Sequence, residues 1–195
     1  MLLSSLCRAN ISILSQKVGL IEALVTRHGV DQAKEVYRSI CPMAKASIGM
    51  HIRHSMDHVE LAALVAENPS EESELHYDLR VRGGILETDM DEAKKRILNV
   101  SHILKDLSEK ESTLSNGFVR IPVKATFFLS AEPIEYGLPS TIARELGTFK
   151  VLLLCSFVHT DDNISQTVCH GLLITNYLYS NRLCCSSRHP SHGND

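Results

Sequence analysis

Residues 89–110 constrain the fold more than any other stretch of this 195-residue chain. Ala93, Ile97, Val100, Leu104 and Leu107 recur at intervals of three and four, which lines one face of an α-helix and leaves the other faces polar. A helix with a single apolar stripe gains most of its stability from burying that stripe against another element. Asp89 stands three positions before Glu92, the capping-box spacing, so the helix is expected to begin there. Acids in its first turn suit the helix dipole, and the pattern runs to about Lys110.

Other segments carry the same period. Leu20, Ile21, Leu24 and Val25 share a helical face within 18–39, with Gly29 as an interruption and Pro42 as the closing residue. Ile48, Ile52, Met56, Val59 and Ala63 form a stripe on a helix predicted from an N-cap at Ser47 to about Ala66, stopped by Asn68-Pro69-Ser70. Ser140-Thr-Ile-Ala-Arg-Glu-Leu146 opens a further helix after Gly137 and Pro139, with Arg144 and Glu145 facing the core or a neighbour. Beyond Gly147 the apolar residues bunch and helical spacing weakens, as it would after a retained intron or a shifted frame. Residues 71–88 are polar and read as a connection without a core of its own. Residues 117–130 change period and predict two short strands or an extended hairpin lying across the helices, with Pro122 pushing it to an edge. The expected organisation is an N-terminal extension over 1–17, one mainly α domain over 18–181, and a disordered tail over 182–195.

His51, His54 and His58 are spaced by three and then four and border the apolar stripe of the second helix. Imidazole is a common ligand for divalent transition metals, so one or two inward histidines can supply part of a metal site. A complete site needs donors from another element. The competing reading is solvated histidines paired with Asp57 and Glu60. Tyr77, Asp78, Arg80 and Arg82 mix a phenol, a carboxylate and two guanidiniums in one loop. That loop either holds an anionic substrate or makes local ion pairs that lock a long crossover.

A net charge of −3 and the absence of Trp argue against a nucleic-acid partner. No apolar run reaches the ~20 residues a membrane span requires. The six cysteines follow no paired framework and read as free thiols in a reducing compartment, the cytoplasm. Arg8, Lys17, four serines and no acid give residues 1–17 a faint likeness to a mitochondrial transit peptide; a ragged start to the first helix is the plainer reading.

Four motifs occur in order: Ser47-Ile-Gly-x-His-x-Arg-His-Ser-x-Asp-His58, Tyr77-Asp-x-Arg-x-Arg82, Glu87-Thr-Asp89 and Ser140-Thr-x-x-Arg-Glu-Leu146. Together they resemble the DinB-like (YfiT-type) metalloenzyme superfamily, over about residues 20–147. The resemblance implies a four-helix bundle and a divalent metal, zinc or nickel, held by three histidines. One ligand comes from the second helix, His54 by motif position with His58 as the alternative, and the others from a His-x-x-x-His pair on the fourth helix. It also implies a small thiol or other small molecule as substrate, as in the thiol-dependent transferases of that superfamily. This chain departs from the pattern: His159-Thr160 comes several residues late and Asn163 stands where the second histidine of the pair is expected. The expected site is therefore His54, His58 and His159, with metal weakly bound or absent and little or no turnover. Two alternatives stay open: an active metal-dependent thiol transferase or hydrolase, and a non-catalytic module that pairs with a second copy through Val151–Leu154.

Overall fold

The computed structural model describes residues 2–42, 44–70, 72–79, 83–114, 117–128 and 134–154, with side chains to residue 148. The chain is mainly helical and carries one small three-stranded sheet. Helix α1 spans Leu2–His28, α2 Val30–Arg38, α3 Ile48–Glu67, α4 Met90–Glu109 and α5 Ile142–Leu154. Helix α1 packs along α4 and against α5, while α3 packs on the same two helices. Their shared interior is apolar: Leu14, Leu24, Met56, Val59, Ile97, Val100, Leu104 and Leu146 are all buried.

The expected helix starts hold where a side chain caps them. Ser47 accepts the Met50 N–H at 3.1 Å, and Asp89 accepts the N–H groups of Asp91 and Glu92 at 2.9 and 3.1 Å. Gly29 separates α1 from α2 in the left-handed region, φ 74°, where only glycine is unstrained, and its N–H closes α1 on the Val25 carbonyl at 2.9 Å.

Several expectations about the elements need correcting. Residues 1–17 are not an extension: from Leu2 they are the first half of α1, and Leu3, Leu6, Cys7, Ile13 and Leu14 lie in the core. The 71–88 connection contains strand β1 (Glu74–His76), whose Leu75 is fully buried, and a 3₁₀ turn at Ile85–Glu87. Helix α5 does not begin at Ser140: Ser140 and Thr141 end strand β3 (Glu135–Thr141), and α5 runs from Ile142 through Gly147 to Leu154.

Strand β2 (Pro122–Phe128) is the middle strand, parallel to β1 and antiparallel to β3. Pro122, expected at an edge, thus begins the middle strand; it is accommodated because β1 covers only Lys124–Thr126 and, among the described residues, no strand neighbour on that side asks for the missing N–H. A hairpin alone cannot bury enough surface to stand, so β1 and the helices beneath complete it. Val123, Ala125 and Leu75 share its buried face.

Cys7 is buried in the core, and Cys41 is disulfide-bonded, against the expectation of six free thiols. No helix among the described residues is long and apolar enough to cross a membrane. The expected tail over 182–195, and the part of the altered stretch beyond Gly147 that follows Leu154, lie outside the described residues.

Candidate functional site

The three histidines of α3 meet three different environments. His54, expected to point inward, is exposed. His58 is half-buried, and its ring meets that of His54 edge-on, with centroids 4.6 Å apart and planes at 84°. One helical turn separates them, so they form a pair on one face. On its other side His58 lies 4.9 Å from the Tyr77 ring. His51 is half-buried as well, and its buried Nε2 has no hydrogen-bond partner among the described residues. Burial, and then the charge of Lys17 on α1, pulls its pKa down to about 4, which keeps the ring neutral.

Tyr77 sits in the turn after β1, held there by its own N–H on the Thr126 carbonyl at 2.9 Å. Its hydroxyl donates to Glu145 Oε2, and the Ser140 hydroxyl donates to Glu145 Oε1. Glu145 is only 6% exposed at the start of α5, so two neutral donors satisfy a carboxylate removed from water. This contact fixes the Tyr77 ring against His58. Asp78 accepts the Phe128 N–H at 2.7 Å and so ties the same turn to the end of β2.

A second network lies under the turn. Arg53 reaches Asp57 Oδ2 at 2.7 Å and Glu87 Oε1 at 2.6 Å, with all three side chains largely buried. Arg96 on α4 donates from Nε to Glu60 Oε2 at 2.8 Å, from Nη2 to the same oxygen, and to Asp57 Oδ1 at 3.1 Å. Gly49 explains the start of the motif: a Cβ there would overlap the Glu87 carbonyl and come within 2.6 Å of Tyr37 Cε1. Tyr37, fully buried on α2, in turn donates to the Leu86 carbonyl at 2.7 Å. Between α3, α4 and the Tyr77 turn lies a cleft of about 240 Å³ lined by Asp57, Glu60, His76, Tyr77 and Arg96 among others.

Of the residues expected at the site, His54, His58 and Tyr77 come together; Asp78 is near but serves the turn. His159, Arg80 and Arg82 lie outside the described residues. Among the described residues no three His, Cys, Asp or Glu side chains are grouped to hold a metal ion.

Lys17 and Arg96 were not singled out by sequence reasoning. Both carried a signal: each is a cation at a helical step from apolar stripe positions, Lys17 between Leu14 and Ile21, Arg96 between Ala93 and Val100. No protein-family model, no curated protein and no solved structure matches the chain.

Proposed function

We propose that this chain is a DinB-like protein in which α1, α3, α4 and α5 act as a four-helix bundle, with an incomplete divalent-metal site and little or no catalysis. The observation that carries the reading is the His54–His58 pair, two imidazoles one turn apart on α3 with ring centroids at 4.6 Å. A helix-borne histidine pair at this spacing is a recurrent half-site for zinc. Half a site binds weakly, because affinity follows ligand number, charge and preset geometry.

Supporting the resemblance, its motif residues meet in space: Arg53 with Glu87, and Tyr77 with Glu145 and Ser140. The test is calorimetric titration of the full chain with zinc and with nickel, repeated on His54→Ala and His58→Ala. Weak binding at about one ion per chain, lost in both variants, supports the reading. Tight binding would point instead to the active metal-dependent enzyme. Binding unaffected by either variant would remove the site.

The non-catalytic pairing module is the second reading, and the exposed Ile134, Tyr136 and Leu138 at the β2–β3 hairpin favour it. Absence of metal binding together with a concentration-dependent dimer by light scattering would select it.

A further inference from the structure

We propose that the cleft between α3, α4 and the Tyr77 turn binds a primary alkylammonium group, carried either by a free amine or by a lysine side chain. This goes beyond the metal reading and stands with or without an ion on the histidine pair.

Charge is the first argument. Among the described residues, three carboxylates, Asp57, Glu60 and Glu87, share two guanidiniums, Arg53 and Arg96, which leaves one negative charge in that network. Both Asp57 oxygens are engaged, Oδ2 by Arg53 and Oδ1 by Arg96. Glu60 gives only Oε2 to Arg96, so its Oε1 has no hydrogen-bond partner among the described residues. An ammonium donor satisfies that oxygen and neutralises the surplus. An anion would meet a guanidinium already forked onto two carboxylates.

The walls supply the second argument. Leu64 and Leu79 border the cleft and are 47% and 69% exposed, apolar surface that an alkyl stem would cover. Tyr77 lines the same cleft, and a phenol ring is a side chain that attracts a cation. Its volume, about 240 Å³, lies below the roughly 300–1,000 Å³ of drug-sized sites, so the ligand is small.

The experiment is titration of the isotope-labelled full chain, followed by amide and methyl shifts of Leu61 and Leu64. The probes are n-hexylammonium, hexanoate and Nα-acetyl-lysine methylamide. Saturable shifts with hexylammonium, at least about fivefold tighter than with hexanoate, are expected, and Glu60→Gln should weaken the amine about fivefold. Hexanoate binding as tightly as the amine, or Glu60→Gln leaving amine affinity unchanged, overturns the proposal. Should Glu60→Gln fail to fold, Leu64→Asn serves: it must weaken hexylammonium more than methylammonium, and equal effects overturn the proposal. Equal affinity for the lysine derivative and hexylammonium assigns the site to a protein lysine, and preference for hexylammonium to a free amine.

Discussion

Replacing Lys17 by Met is expected to stabilise the protein. Lys17 is only 3% exposed, midway along α1, and burial lowers its pKa from 10.5 to about 8. A depressed lysine pKa means the folded state resists the charged form that the unfolded chain accepts. The penalty is absent above the unfolded pKa of 10.5, grows as pH falls toward 8, and is constant below it. At ~1.4 kcal/mol per unit of displacement the cost at neutral pH is on the order of 3 kcal/mol. Methionine has similar length and no charge to desolvate, so Lys17→Met recovers most of that and raises the urea midpoint on the order of 1 M. The assay is urea unfolding followed by circular dichroism at several pH values between neutral and about 9.5. Above that range Tyr37 interferes: burial, with Asp89 and Glu87 nearby, raises its pKa, so stability is lost as the unfolded phenol ionises. Wild-type stability should climb across the window while the variant stays flat and starts higher. A variant less stable than wild type at neutral pH, or a wild type that does not climb, refutes the reasoning.

Gly49→Ala forces its new methyl onto the Glu87 carbonyl and the Tyr37 ring, and should cost about 2–3 kcal/mol in urea unfolding. Arg53→Met leaves Asp57 and Glu87 short of a buried partner; a loss of about 3 kcal/mol by the same measurement is expected, against under ~1 kcal/mol for the exposed Arg38→Met. Asp89→Ala removes the acceptor for two N–H groups at the start of α4 and should cost about 1 kcal/mol, read as a lower melting temperature. His51 favours its neutral ring when folded, so its stability contribution is present above pH 6.5 and lost as pH falls toward 4. His51→Gln should flatten the fall in urea midpoint over that range, and Lys17→Met should make it shallower by removing the neighbouring charge.

The helices that could be read from the chain are those whose stripe and cap agree. Helices α3 and α4 begin at Ser47 and Asp89 as expected because each capping oxygen competes for N–H groups within a few residues of itself. Strand β1 was hidden because three residues in a polar stretch have no period to detect, and Leu75 becomes a core residue only through β2. Strand β3 carries Gly137 and Pro139, turn and breaker signals by themselves, which an edge strand tolerates. Of the candidate site, the His54–His58 pair was legible because helical spacing places them together whatever surrounds the helix. Their exposure was not, since the choice of inward imidazole depends on which way α3 rolls against α4 and α5.

What the amino-acid order determined by itself was local: where α3 and α4 start, where Gly29 must turn the chain, and which faces need burial. These follow from hydrogen bonds and apolar spacings that close within a turn or two of helix. What only the tertiary structure decided was every long-range partnership: Arg53 with Glu87, Tyr77 with Glu145 across 68 residues, and Lys17 beside His51. Such pairs join segments whose relative position is set by the burial of many apolar side chains at once, and no single stretch of the chain encodes that sum.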